Sequence, residues 1–309
     1  MISENLSFIT DYFSSSISLA IPLAFAALGG LFAERSGVIN IGLEGLLLTG
    51  AFVGAASSVL TENLAISILI AVVIGGCVGG VHAYLCVSLN VNQIVSGLAI
   101  NLAASGLTAY GARLLFNTGT VALPKLPKLE IFGLKSIPVL GVIFQQDILC
   151  YLLLILIGLS TYIIFKTHWG LTLRAVGESA VAADATGISV VKVRYICVIL
   201  SGILASLGGV YLALVHVGFF TEGMSAGKGF IAIAAIIFGR WHPVYTSLAC
   251  FLFGTTEALQ LRIQAFNLDI PYQFLVMLPY LIALFALVGI AGKSTPPAAL
   301  GKAFNSQHR

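Results

Sequence analysis

KTHWGLTLRAVGESAVAADATGISVVKVR, from Lys166 to Arg194, is the longest polar interval with a basic excess between the hydrophobic segments of this chain. Lys166, Arg174, Lys192 and Arg194 stand against Glu178 and Asp184. Inside it, Ser179 is placed to cap a short helix of alanines through Ala182, Ala183 and Asp184. Gly187 sits where a left-handed turn would end that helix. About seven helical residues are not stable alone in water, so the helix must dock on something. The interval is then either a plain connection or a coupling segment, a helix that a membrane subunit presents to a partner.

Its surroundings settle the class. The chain is 59% hydrophobic and only 9% charged, against about 25% charged in soluble domains. This predicts an all-α polytopic membrane protein forming one transmembrane domain over residues 1–309. The 33 glycines suit membrane helices, where small residues let backbones approach. A net charge of +3 is too small to suggest nucleic acid. Cys77, Cys86, Cys150, Cys197 and Cys250 lie in apolar runs and read as buried hydrophobes, with no metal set. The first sixteen residues carry Glu4 and Asp11 and neither Lys nor Arg, so no targeting peptide is expected.

Apolar runs of spanning length fall at Ile17 to Ala33, Ile41 to Leu60, Leu64 to Leu89, Ile94 to Phe116, Ile148 to Phe165, Tyr195 to Val217, Val244 to Leu261 and Tyr272 to Ala291. Phe230 to Gly239 is marginal and reads as a tilted ninth helix or a re-entrant segment. About nine spans (8–10) with the N-terminus outside place Arg35, the 166–194 segment, Arg240 and the 292–309 tail (Lys293, Lys302, Arg309) on one side. Lys125, Lys128, Lys135, Lys228 and Arg262 fall on the other. The positive-inside rule makes the richer side cytoplasmic. The 117–147 interval, with Pro124, Pro127 and Pro138, is then an extracytoplasmic loop suited to a binding protein.

Two polar clusters interrupt the apolar pattern. Glu34-Arg35-Ser36-Gly37-Val38-Ile39-Asn40 leads toward Glu44, which is either a snorkelling residue or a pathway carboxylate. Asn92, Gln93 and Asn101 bring amides to the fourth span, where they bond a neighbouring helix or meet a substrate. Glu257 and Gln260 carry the same alternatives, while His82 and His216 read as packing histidines. Gly292-Lys293-Ser294-Thr295 imitates the end of a P-loop, but Leu287 stands where the first glycine is needed and Pro296-Pro297 follows. Absence of a catalytic constellation speaks against an enzyme.

LGGLFAERSGVINIGLEG (Leu28 to Gly45), NQIVSGLAIN (Asn92 to Asn101), LRAVGE (Leu173 to Glu178, continuing to Gly187) and GKGFIAIAAIIFGRWHP (Gly227 to Pro243) resemble permease subunits of bacterial ABC importers in the branched-chain amino acid and simple-sugar group. The nucleoside-type branch is the nearer likeness. Glu34, Arg35, Ser36, Gly37 and Asn40 carry the first motif. The resemblance implies a bundle like the vitamin B12 importer permease and coupling to an ATPase through Arg174, Gly177, Glu178, Ala182, Ala183, Asp184 and Gly187. The family has Asn-Pro after Gly-Glu where this chain has Ser179-Ala180. It further implies a second paralogous permease forming a heterodimer, a tandem-domain ABC ATPase and a substrate-binding lipoprotein in a bacterial plasma membrane. This chain would hold no cofactor, ATP-Mg residing on the ATPase. Nucleosides are the implied cargo, with simple sugars or branched-chain amino acids as alternatives. Glu44, Asn92, Gln93, Asn101 and Glu257 are pathway candidates. An ion-coupled secondary transporter is the competing class, and it needs charges at mid-membrane, whereas those here appear toward the span ends.

Overall fold

The computed structural model describes residues 2–116, 121–127, 140–265, 271–290 and 295–304. Lys128, Lys135, Pro138, Lys293 and Arg309 lie outside the described residues, as do parts of the 117–147 loop and of the tail.

Every long apolar run becomes a helix: α1 (Ile2–Arg35), α2 (Leu43–Thr61), α3 (Leu64–Ala83), α4 (Gln93–Phe116), α5 (Ile148–Lys166), α6 (His168–Glu178), α7 (Ala180–Ala185), α8 (Val190–Tyr211), α9 (Lys228–Phe238), α10 (Pro243–Ala265) and α11 (Tyr272–Ile290). In lipid only a helix pairs all its own backbone groups, so continuous apolarity forces this outcome. Among the described residues, α1 to α5 and α8 are long and apolar enough to cross a bilayer. Helices α10, with 23 residues, and α11, with 19, also have the length. The expected ninth span is different. Helix α9 has 11 residues, about 16 Å, which is half of a ~30 Å hydrocarbon core. Helix α1 begins well before Ile17 and passes through Pro22 without ending.

Helix α1 is the hub, packed against α8, α10, α9 and α5. Helices α2, α3 and α8 meet backbone to backbone. A Cβ on Gly209 would lie 1.9 Å from the Leu47 carbonyl oxygen, and one on Gly202 would lie 2.2 Å from that of Gly75. Only glycine permits such approach, and close packing is the main attraction between helices in lipid. Outward faces of α3, α4 and α5 carry Leu69, Leu102, Leu107, Ile155 and Tyr162, all exposed, as a lipid-facing surface requires.

Where the sequence predicted a single short helix, the 166–194 segment forms two, α6 and α7. Thr167 Oγ1 accepts from Gly170 N–H at 3.1 Å to start α6. Ser179 Oγ accepts from Ala182 N–H at 3.3 Å to start α7, and Gly187 at φ +85° ends it. Both of the expected punctuation residues therefore act as such.

Candidate functional site

The chain between α1 and α2, Ser36 to Gly42, is irregular and largely buried. Its peptide groups cannot be left to lipid, and the polar residues that interrupt the spans converge on them. Gln93 Oε1 accepts from Ile39 N–H at 2.7 Å. Asn101 Nδ2 donates to the Ile41 carbonyl at 3.0 Å while its Oδ1 accepts from Gly45 N–H at 2.8 Å. His82 Nε2 lies 3.2 Å from the Ile39 carbonyl and Nδ1 lies 2.9 Å from Ser96 Oγ. A carbonyl can only accept, so Nε2 carries the proton and Nδ1 accepts from the serine. Asn40 Nδ2 donates to Ser201 Oγ at 3.0 Å. Asn92 accepts from Ile94 and Val95 N–H, capping α4.

Arg194 belongs to the same assembly. Although it stands in the polar 166–194 segment, it is 1% exposed and turned inward. Its Nε donates to the Ser36 carbonyl at 3.2 Å and Nη1 to the Lys302 carbonyl at 3.0 Å. Gly301 N–H meets the Gly37 carbonyl at 3.0 Å, so residues 295–304 of the tail dock here.

Two motifs separated by some two hundred residues meet at the Arg35 end of α1. Glu34, 4% exposed, accepts from the Trp241 indole N–H, and Arg35 Nε donates to the Trp241 carbonyl at 2.9 Å. Arg240 and Trp241 hold φ values of +52° and +53°, conformations costing on the order of 1–3 kcal/mol each and sustained by such clamps. Phe165 is flanked by the guanidinium groups of Arg35 and Arg174, each 5.6 Å from its ring centre. His242 stacks on the same ring at 4.8 Å. Burial and the neighbouring Arg35 charge hold the His242 pKa below the usual range. Gly177 seats α6 under this cluster: a Cβ there would lie 2.1 Å from the Arg35 carbonyl oxygen. Beyond it, Glu178 is exposed and close enough to Arg35 for their charges to interact.

On α7, Val181 is 72% exposed and Ala182 is exposed, whereas Ala183 is 4% exposed and packed into the core. Asp184 is half-buried. The outward side of the short helix therefore includes Val181 and Ala182, a side the alternation of small residues alone did not distinguish from Ala183.

Glu44 has a role that neither sequence reading foresaw. Its carboxylate accepts from Gly227 N–H at 2.8 Å and Gly229 N–H at 2.7 Å, capping the N-terminus of α9 from the first turn of α2. Next to it, Lys228 is not a solvated outer-loop charge as the topology count assumed. It is 7% exposed, with Nζ 2.6 and 2.8 Å from the Glu257 oxygens. Glu257 stands about 21 Å along the 23-residue helix α10 from Pro243, well inside both of its ends. Charges are therefore found away from the helix's ends, as a mutually neutralising pair. A cavity of about 240 Å³ opens beside them, bordered by Glu257, Lys228, Gln260 and Tyr280. Of the pathway candidates, Glu44 and Glu257 are thus brought together around Lys228, and Asn92, Gln93 and Asn101 around the Ser36–Gly42 chain. No local spacing announces the Lys228–Glu257 pair; an apolar run opening on a lysine was the one available signal.

Comparison with known proteins gives one family. A profile described as the branched-chain amino acid transport system / permease component matches residues 12–288. The guanosine ABC transporter permease protein NupQ of Bacillus subtilis (strain 168) is 40% identical, covering 93% of this chain and 94% of its own. The nucleoside ABC transporter permease protein NupC of Lactococcus lactis subsp. cremoris is 36% identical, covering 91% and 92%. The putative glucose ABC transporter permease protein TsgC13 of Haloferax volcanii is 34% identical, covering 85% and 80%.

Proposed function

This chain belongs to the branched-chain amino acid transport system / permease component family and is a non-catalytic, multi-pass permease subunit of an ABC importer; on that premise we propose that it imports nucleosides. The observation that carries the reading is that two relatives matched over more than nine-tenths of both chains are guanosine and nucleoside permeases. The paired charges at the cavity support it too, since they suit a neutral solute better than a zwitterionic amino acid. A sugar is the second reading, favoured by the glucose relative.

An ATPase and a binding protein are partners by family. We take the ATPase to be a tandem-domain chain holding ATP-Mg, the second permease to be a longer paralogue, and the binding protein to be a lipoprotein. The N-terminus then lies outside and the C-terminus in the cytoplasm, where α6 and α7 face the ATPase. Val181 and Ala182 enter its groove, Glu178 meets basic groups beside it, and Gly187 with Asp184 fixes the exit of the helix. Displacement of α7 passes through Gly177 to the end of α1, and through Arg174 and Phe165 to the His242–Trp241 turn that ends α9. The far end of α9 carries Lys228 beside the cavity, so a push at the ATPase shifts the pathway by rigid-body movement, as alternating access requires. Asn92, Gln93 and Asn101 hold the irregular chain against which α2 and α9 are set.

The test is uptake of labelled guanosine, glucose and leucine by proteoliposomes holding both permeases and the ATPase, with the binding protein supplied outside. ATP-dependent guanosine uptake is expected. Uptake of leucine or glucose in its place would overturn the nucleoside reading. Cysteine probes at Lys125 and Val181 should label from outside and inside respectively, and the reverse pattern would overturn the orientation.

A further inference from the structure

Lys228 is an uneconomical residue where it stands. It opens helix α9, whose N-terminus already carries partial positive charge from unpaired peptide N–H groups. It is also 7% exposed, and an ionised side chain so enclosed is costly. A pair serving only to hold α9 to α10 is replaceable by apolar side chains of like volume, often with a gain in stability. Local rules broken without a structural return mark functional positions.

The surroundings say what the pair could serve. Its side chains are unequally covered, 9% exposed for Lys228 and 26% for Glu257, so the carboxylate is the more open of the two. Gln260 lies one turn beyond Glu257 on α10, and Tyr280 and Pro279 face the same space from α11. The tyrosine hydroxyl comes within 3.9 Å of where a Cβ on Gly227 would be. Phe253 and Leu23 complete an apolar side. The cavity, about 240 Å³, falls below the ~300–1,000 Å³ of tight ligand pockets. His216, at the end of a π-helical turn, lies within electrostatic range of the pair, and Lys125 lies within electrostatic range of His216.

Resting on the permease reading above, we propose that this cavity is a transit site for a neutral, hydroxyl-bearing solute such as a ribose or hexose ring. The Glu257 carboxylate accepts from solute hydroxyls and the Gln260 amide and Tyr280 hydroxyl supply further polar contacts. Phe253 offers an apolar face, and Lys228 holds the Glu257 carboxylate in place through its two contacts. Small size and partial openness fit a contact made in passing, because a transporter must release what it holds.

The experiment uses the complete importer in proteoliposomes with guanosine as probe and co-purification of the ATPase as the check on assembly. Gln260→Leu and Tyr280→Phe leave the ion pair in place; each is expected to lower the guanosine uptake rate about 5- to 20-fold in assembled complexes. Glu257→Gln should lower it further and shrink the preference for guanosine over 2′,3′-dideoxyguanosine. The exchange variant Lys228→Glu with Glu257→Lys separates site from staple. A staple is restored by the exchange, whereas a site stays impaired because donor and acceptor have traded places. Wild-type uptake with unchanged preference in the exchange variant and in both single variants on the rim would overturn the site and leave the nucleoside reading standing. If the wild-type complex carries glucose but not guanosine, the nucleoside reading falls and the cavity is judged on the same variants with glucose. Transport of neither overturns both.

Discussion

Val181 is the residue on which docking of the ATPase should turn. It stands 72% exposed on α7, between Ala180 and Ala183, which are buried in the permease itself. Replacing valine with alanine removes two methyl-sized groups, each worth about 0.8 kcal/mol when fully covered. With 72% of the side chain available to be covered, the loss on docking is about 1.2 kcal/mol, or roughly sevenfold in Kd. The assay is titration of the fluorescently labelled ATPase against purified permease in nanodiscs. Leu60→Ala, which trims a 70% exposed side chain at the opposite end of α2, is the control and should leave Kd unchanged. Ala182→Trp, on the same exposed face, should abolish stimulation of ATP hydrolysis by the loaded binding protein while the permease melts as wild type does. Ala183→Trp behaves differently, because overpacking a buried position costs about 1–3 kcal/mol and lowers the melting temperature. An unchanged Kd for Val181→Ala together with full stimulation in Ala182→Trp would refute α7 as the coupling element.

Three further outcomes are expected. Asn101→Leu strands the Ile41 carbonyl and the Gly45 N–H, at about 1–3 kcal/mol each, and should appear as a clear drop in thermal stability; an unshifted melting curve would mean water or a rearrangement replaces the amide. Gly177→Ala forces a Cβ to within 2.1 Å of the Arg35 carbonyl oxygen, so α6 must shift, and coupled uptake should fall more than ATPase binding does; equal uptake would show that the α6–α1 contact transmits nothing. Arg194→Met removes the donors that hold the Ser36 and Lys302 carbonyls, and limited proteolysis should then cut within residues 295–304 at a rate the wild-type protein does not show.

The sequence carried the class of the molecule in its hydropathy, and with it nearly every helix. It also carried the ends of α7, because capping by Ser179 and termination at Gly187 are local chemistry. Depth and pairing were beyond it. Lys228 sits beside an apolar run and its partner lies 29 positions away, so nothing within one helical turn distinguishes a buried cation from a loop cation. Arg194, next to Lys192 in a basic stretch, carries no local mark of burial; its partners are backbone carbonyls 158 and 108 positions away. Glu44 was weighed as snorkelling or lining a pathway, yet its partners are peptide N–H groups of a helix 183 positions on. Helix α6 was missed because its buried face uses Gly170 and Gly177 beside Leu173 and Val176, and glycines lower the apparent helix tendency while permitting the close approach that stabilises it here.

The Ser36–Gly42 chain also sets a schedule for biogenesis. Its backbone groups are satisfied by Gln93, Asn101, Arg194 and Gly301 in turn, and the neighbouring Glu34 and Arg35 wait for Trp241. At about 5–20 residues per second, the ribosome needs on the order of 13–50 s to make the chain between Gly42 and Lys302. Over that interval the peptide groups between the first two spans gain their partners one after another, the Gly37 carbonyl only once Gly301 has been synthesised. The fold of the first two spans is thus completed only when Gly301 and Lys302 emerge, and a truncation that removes them would leave the beginning of the chain unfinished.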